Sequence, residues 1–491
     1  MTTGFSAQAR SGIQNAGLIR SQAYLAGAWF SPANDRAMPV VDPFTDRQIG
    51  SIPSLEEADI QRALTAAGEA FPKWARESAK VRAAILRRWF ELIAAHREDL
   101  ARLITLENGK PLKEARAEVD YGNGFVEFYA EEAGRILGEI LPPNLPGRRL
   151  SAEREPVGVC VAITPWNFPL AMLTRKIAPA LAAGCTIVCK PAHQTPLSAL
   201  ALAALGEEAG IPPGVLSVVT GDARMIGDVV TRSALVRKIS FTGSTGVGAQ
   251  LMAASAPTIK RLSLELGGNA PLLVFDDADL DAAVETAMVA KFRNSGQSCV
   301  AANRIYVQRG IHDAFLQAFG ARVKALTLGD GFDDATDIGP LINEAAVRKV
   351  TEHYDDALEG GAQLVAGGRA DPGRLAAPTL LSDVRPDAAL TREETFGPLA
   401  AVIGFDTIDQ GLALANDTPF GLAAYVCSSN AATIARVSRD IESGMVGVNT
   451  GLISTAVAPF GGVKQSGLGR EGSRHGLDEY LNLKYICQAG M

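Results

Sequence analysis

The sequence predicts an α/β protein of two lobes, each a parallel sheet wrapped by helices. Length is the first reason: 491 residues exceed what one ordinary hydrophobic core serves, so two domains or one large two-lobed unit is expected. The second is that, from about Val157, short apolar runs alternate with helical patterns, as strands joined by crossing helices do. The third is a second series of the same kind, which starts at residues 271–275.

Taken in order, the first 34 residues lack any acid and carry Arg10, Arg20 and several serines, without a hydrophobic signal core. They read as a disordered or loosely attached N-terminal extension, placed at residues 1–20, with a transit peptide as the alternative. The longest uncharged run, Pro156 to Thr174, approaches the length of a membrane span. Pro165, Asn167 and Pro169 break its middle, so it is not read as transmembrane. The alternation then runs through VGVCVAI, LAMLTRKIAPALAAG, CTIVC, a helix near Pro196 to Ala209, VLSVV, a further helix and VRKISF. Thr195 is expected to cap the helix, Pro196 to open it and Gly210 to end it. In KRLSLELGGN, Leu262, Leu264 and Leu266 alternate with Ser263 and Glu265, which puts Glu265 on the opposite strand face, where the lobes should meet. PLLVF, a helix ending near Phe292, IYVQ and another helix make the second lobe.

Bulk properties exclude several functions. Lys and Arg number 47 against 54 Asp and Glu, and a net charge of −7 gives no positive field to draw a phosphate backbone, so no nucleic-acid partner is expected. Six cysteines, at 160, 185, 189, 299, 427 and 487, form no dense disulfide framework and point to a reducing, cytoplasmic setting. Cys185 and Cys189 have no His or second Cys pair at ligand spacing, so they read as small apolar residues of a buried strand, and no metal is expected.

Three motifs carry possible chemistry. GLGREG, Gly467 to Gly472, matches the dinucleotide fingerprint in letters but has too little chain after it for the βαβ unit that fingerprint needs. FTGSTGVG, Phe241 to Gly248, follows an apolar run and opens a helical pattern. Its amides, with Ser244, suit a pyrophosphate, although Gly-rich strand-to-helix turns are also common for structural reasons. FRNSGQSC ends on Cys299, with Gly296 permitting close backbone approach; the sulfur reads equally as a nucleophile or as packing. A papain-like protease would need a His base, and the five histidines, at 96, 193, 312, 353 and 475, lack that context.

Together PWNFP, KPA, FTGSTGVG, LELGGN, FRNSGQSC and EETFGP resemble the aldehyde dehydrogenase superfamily, in that family's order, from about Ala23 to Tyr485. FRNSGQSCVAANR, PLAMLTRKIAPAL and GLIS with PFGGVKQSGLGREGS are more narrowly similar to the succinate-semialdehyde dehydrogenases. The resemblance implies a Rossmann-type cofactor lobe over residues 21–138 and 157–265, an α/β catalytic lobe over 266–470, and an oligomerisation arm from 139–156 and 471–491. A homo-oligomer, dimer or tetramer, is implied with it.

The resemblance also implies roles. Cys299 matches the nucleophile that forms a hemithioacetal and then a thioester. Asn167, with the Cys299 backbone N–H, matches the oxyanion donors. Glu265 matches the general base for hydrolysis; relatives that pass the acyl group to coenzyme A lack this glutamate, so a free acid is the implied product. Thr164, Pro165, Trp166, Lys190, His193, Gly243, Ser244, Glu394 and Phe396 match cofactor positions, Lys190 at the adenine ribose and Glu394 at the nicotinamide ribose. Many NAD-specific relatives place a glutamate three positions past the lysine. His193 stands there, so NADP is expected to be accepted and the preference for NAD or NADP stays open. Arg175, Arg293 and Ser454 match positions that hold the carboxylate of succinate semialdehyde, the alternative being arginines without a partner on the surface. Glutarate semialdehyde presents the same carboxylate one methylene further away, a difference worth only about 1 to 3 kcal/mol. One departure stands out: Val300 and Ala301 follow Cys299, where some of these relatives carry a second cysteine two residues on.

Overall fold

A computed structural model describes residues 11–33, 36–370 and 373–490. Its first sheet has eight strands, in the order Gly467–Leu468, Arg261–Glu265, Val236–Thr242, Val159–Ile163, Thr186–Lys190, Leu216–Val218, Ala23–Leu25 and Ala28–Phe30. The pairings from Arg261–Glu265 to Leu216–Val218 are parallel, and both edges are closed by antiparallel strands. Its second sheet has seven strands, in the order Gln363–Ala366, Thr379–Ser382, Leu399–Phe405, Ala302–Gln308, Ala270–Val274, Ala423–Cys427 and Met445–Val448, antiparallel only at the first pair. Thr186–Lys190, Ala270–Val274 and Ala423–Cys427 are buried at every residue, which is why they read as continuous apolar runs: helices cover both faces of a parallel sheet. Cys189 lies in the first of these strands with Cys185 just before it, both buried and free.

A third sheet joins Leu481–Ala489, Arg148–Pro156 and Glu139–Leu141. It leaves Ile140, Leu483, Tyr485 and Ile486 exposed. Phe460 and Glu471 exchange backbone hydrogen bonds of 2.7 and 2.8 Å, and the Ser473–Asp478 helix packs on the Leu112–Glu132 and Ala171–Ala183 helices. Among the described residues no helix is long and apolar enough to cross a membrane.

Two local expectations are corrected. Thr195 does not cap the Leu197–Glu208 helix: its hydroxyl is buried without a partner, and the N-cap position is Pro196. Glu107, from another helix, accepts the N–H groups of Leu197 at 2.7 Å and Ser198 at 2.9 Å. A carboxylate answers both orphan amides and the positive helix end, which one hydroxyl cannot. Gly210 does stand just past this helix with φ +89°. The N-terminal extension is not loose over its described part: Asp99 accepts the N–H groups of Gln14 and Asn15 at 2.8 and 2.9 Å, and Ile13 and Leu18 are buried. Residues 1–10 of that extension lie outside the described residues.

Candidate active site

Glu265 ends the last parallel strand of the first sheet, and the chain crosses to the second lobe through Gly267 and Gly268. A Cβ at Gly268 would collide with the carbonyl oxygen of Cys299, so the glycines of LELGGN bring the two segments into direct contact. Between them lies a cavity of about 270 Å³, lined by Pro165, Trp166, Asn167, Gly243, Ser244, Glu265, Cys299, Glu394 and Phe396 among others.

The Leu280–Phe292 helix delivers Cys299 through a turn in which Asn294, Ser295 and Gly296 have φ of 54°, 56° and 72°. Two consecutive non-glycine residues in the left-handed region cost about 1 to 2 kcal/mol each. Side chains hold them there. Asn294 N–H donates to Glu114 at 2.8 Å, the Asn294 amide to the Asn167 and Gln297 carbonyls at 2.8 and 3.1 Å, and Ser295 Oγ to the Gly339 carbonyl at 3.0 Å. Gln297 Oε1 accepts Ile342 N–H at 3.0 Å. At Gly296 a Cβ would strike the Gly397 carbonyl, so this position admits only glycine.

Asn167 is fixed to the same turn. Its side-chain amide donates to the Gln297 carbonyl at 3.1 Å, and its own carbonyl accepts Lys110 Nζ at 2.7 Å. Lys110 pairs with buried Glu118 at 2.6 Å, and Glu118 in turn accepts the N–H groups of Leu170 and Ala171, which open the helix that carries Arg175 and Lys176. Burial pushes the Cys299 thiol up to about 12, helped by the carboxylates of Glu394 and Glu265 and opposed by Arg175.

Glu265 is 2 % exposed and neither of its oxygens has a hydrogen-bond partner. Burial, and then the charge of Glu471, push its carboxyl well above the usual range, while Arg175, Lys176 and Arg470 pull the other way. Glu471 is ion-paired with both Arg175 and Lys176 and bonds Ser240 Oγ at 3.1 Å. Burial alone would raise Glu471, but the two cations outweigh it and hold it low. Lys176 Nζ also donates to Thr242 Oγ1 at 2.7 Å, and Thr242 is the register partner of Glu265. Sequence reasoning missed Lys176, Glu471, Glu114 and Gln297. Glu471 lay inside GLGREG, whose Gly467–Leu468 piece is the edge strand beside Arg261–Glu265.

Except for Glu394 and Phe396, which precede the Leu399–Phe405 strand, the expected cofactor residues lie at or just past the carboxyl ends of parallel strands of the first sheet. Thr164 follows Val159–Ile163 and its N–H donates to the Lys190 carbonyl at 3.1 Å; its hydroxyl is buried and unpartnered. Lys190 bonds only the Pro191 carbonyl, at 3.0 Å, and burial lowers its ammonium to about 8. His193 is exposed, its pKa lowered by partial burial and by the charge of Lys190. Gly243 and Ser244 lead into the Thr245–Ser255 helix, whose N-cap Ser244 makes no side-chain capping bond, and nothing lies within 4 Å of a Cβ at Gly246. A second cavity of about 590 Å³ runs between this helix and Ala223–Arg232. Glu394 accepts Gly268 N–H at 3.2 Å and burial raises it to about 7, while Trp166 and Phe396 meet edge to face at 5.4 Å. Free amides at a helix start, a lysine with spare donors and an unpartnered buried hydroxyl fit an extended dinucleotide.

Arg175, Arg293 and Ser454 do not line the Cys299 cavity. Arg175 is 1 % exposed, ion-paired with Glu471, and its guanidinium lies 4.3 Å from the Phe460 ring centre, so it is neither on the surface nor without a partner. One of its terminal nitrogens is still without a partner. Arg293 lies half-buried over Phe168 at 5.0 Å, and Ser454 lines a cavity of about 510 Å³. All three neighbour one residue that sequence reasoning also missed, Tyr121.

With this geometry, the chain belongs to the aldehyde dehydrogenase family, which residues 29–486 match. It is an enzyme that oxidises aldehydes with NAD(P), and the protease alternative falls away. It is 53% identical over 475 residues to a glutarate-semialdehyde dehydrogenase of Pseudomonas putida, covering 97% of this chain and 99% of that protein. To an NADP(+)-linked succinate-semialdehyde dehydrogenase of Escherichia coli it is 52% identical over 477 residues, covering 97% and 99%. The crystal structure of an aldehyde dehydrogenase from Brucella melitensis biovar abortus 2308 is similar at a TM-score of 0.96 and 55% identity, covering 97% of this chain and 99% of that one.

Proposed function

We propose that the protein oxidises a short ω-semialdehyde, succinate semialdehyde first and glutarate semialdehyde next, to the dicarboxylic acid through a thioester on Cys299. The observation that carries this reading is the grouping of two guanidiniums and Ser454 around Tyr121, with Arg175 close enough to act electrostatically on both Cys299 and Glu265. The two relatives described above act on these two substrates, which differ by the methylene that a carboxylate site discriminates least.

Cys299 Sγ attacks the aldehyde carbon as the thiolate, its proton having passed to water. The second hydrogen of the Asn167 amide and the Cys299 backbone N–H stabilise the oxyanion of the hemithioacetal. Gly243 and Ser244 would hold the cofactor's phosphates, Lys190 and Glu394 its riboses, with Thr164, Pro165, Trp166 and Phe396 as walls. NAD(P), when bound, supplies the two-electron oxidation of the carbon on Cys299. Glu265 then draws a proton from water as it attacks the thioester, releasing the acid and the free thiol. With His193 and not a carboxylate past Lys190, nothing at that position repels a 2′-phosphate, so NADP is accepted.

The exposed Ile140, Leu483, Tyr485 and Ile486 suit the arm to pair with a second copy in a cytoplasmic homo-oligomer, with the cofactor and catalytic lobes bounded as the sequence placed them. The test is a steady-state comparison of succinate semialdehyde, glutarate semialdehyde and butanal with each cofactor. A butanal kcat/KM equal to that of the semialdehydes would remove the ω-carboxylate from the reading.

A further inference from the structure

Tyr121 sits on the Leu112–Glu132 helix with its ring engaged in packing: edge-on to Phe125 at 5.0 Å and against Phe168, Ala171 and Met172. Its hydroxyl oxygen is buried, and although Arg175 and Ser454 lie near enough to act on it, neither makes a hydrogen bond of good geometry to it. A buried phenol left unpaired is costly, so its presence asks for a partner that arrives from outside the chain.

The neighbours of that oxygen are of one kind. Arg175 and Ser454 stand against it and Arg293 is near enough to act on it by charge. Arg175 Nη1 is likewise buried without a partner, its Nε being turned to Glu471. Tyr121 and Ser454 also line the same cavity of about 510 Å³, which opens beside the helix. The acids on its rim are engaged elsewhere, Asp120 with Arg97, and Glu127 and Glu131 with Arg87. Tyr121 and Ser454 thus face one space, with the idle Arg175 donor close to the phenol and a second guanidinium near it, and none of the four is an acid.

We infer that Tyr121 is a specificity-determining residue whose O–H donates to the terminal carboxylate of the substrate, completing a four-donor anion site with Arg175, Arg293 and Ser454. This rests on the ω-semialdehyde reading above and extends it to a residue outside the matched motifs. A carboxylate offers about four acceptor directions on two oxygens, enough for all four groups. Burial raises the phenol above its ordinary value of 10.0, so it remains a protonated, neutral donor throughout the working pH range. An aldehyde ending in a methyl group leaves that donor unpaired, a stronger basis for rejection than the loss of a methylene.

Tyr121→Phe tests this because it keeps the ring and removes only the oxygen. The preference for succinate semialdehyde over butanal, as a ratio of kcat/KM, is expected to fall about tenfold to a hundredfold. The loss should lie in KM, and succinate should weaken by a similar factor as a competitive inhibitor, since the carboxylate end is remote from the reacting carbon. If the wild-type enzyme shows no preference for succinate semialdehyde over butanal, the substrate reading fails and takes this inference with it. If the wild-type preference is strong and Tyr121→Phe retains it, the reading stands and the role of Tyr121 is overturned. Equal losses on both aldehydes overturn it too, because they assign Tyr121 to the fold.

Discussion

Cys299 enters its cavity on a turn whose polar groups are mostly bonded, through Glu114, Asn167, Gly339 and Ile342, whereas Glu265 enters the same cavity with neither oxygen bonded. The difference follows from what each group does. A nucleophile must be placed to a fraction of an ångström, and hydrogen bonds place atoms. A base must keep its proton affinity and be free to reach the attacking water, and bonds to its oxygens would lower that affinity. Glu265 is instead set by field: burial and Glu471 on one side, Arg175, Lys176 and Arg470 on the other.

The contrast can be broken most severely at the sulfur. Cys299→Ala should bring oxidation to background while cofactor binding, measured by fluorescence titration, persists; substantial residual turnover would remove Cys299 from the chemistry. Next in size, Glu265→Gln should cut steady-state turnover by about 10² to 10⁴ while a first-turnover burst of reduced cofactor survives, because hydrolysis of the thioester needs the base in every cycle. A missing burst in a folded, cofactor-binding variant would place Glu265 before the oxidation step. On the bonded side, Gln297→Ala strands the Ile342 N–H, and a buried donor left unpaired costs about 1 to 3 kcal/mol. Its melting temperature should drop and kcat fall roughly tenfold, and an unchanged melting temperature would show that this bond does not hold the turn.

The field side has its own pH signature. Glu265 acts as a base only when ionised, and its raised pKa puts the acid limb of the deacylation rate above the ordinary carboxylate range. Stability runs the opposite way: a carboxyl with a raised folded pKa favours the fold at low pH and loses that contribution as pH rises through its folded value. Glu265→Gln should therefore gain thermal stability relative to the wild type as pH increases; a constant difference across pH would contradict the raised pKa. The smallest effect is at the thiol. Glu394→Gln removes a charge that raises Cys299, so alkylation by iodoacetamide without cofactor should set in at lower pH.

How far the sequence discloses this site depends on how local each part is. Cys299, Asn167 and Glu265 lie in short segments whose letters and neighbours travel together, and the two series of apolar runs disclosed both sheets. The setting of the base was hidden because Lys176 and Glu471 are 295 residues apart, and nothing in GLGREG marks its glutamate as a partner for two cations. The misplaced cap at Thr195 has the same cause, since Glu107 reaches that helix from 90 residues away. Tyr121 carried no signal at all: on a helix packed by Phe125 and Tyr129, one more aromatic looks like core, and only the unpaired oxygen distinguishes it.

Gly268 has a consequence for anyone redesigning the enzyme. Because its missing side chain is what lets the base strand touch the nucleophile's carbonyl, that seam has no slack, and neither an insertion nor a larger residue there can be absorbed by repacking. Room for new substrates must come from elsewhere, where Ser454 stands in the half-open segment through Val457, facing the Leu112–Glu132 helix across the cavity of about 510 Å³. Libraries that vary this segment and leave the LELGGN crossing untouched should retain folded, cofactor-binding proteins at a much higher frequency than libraries that do the reverse.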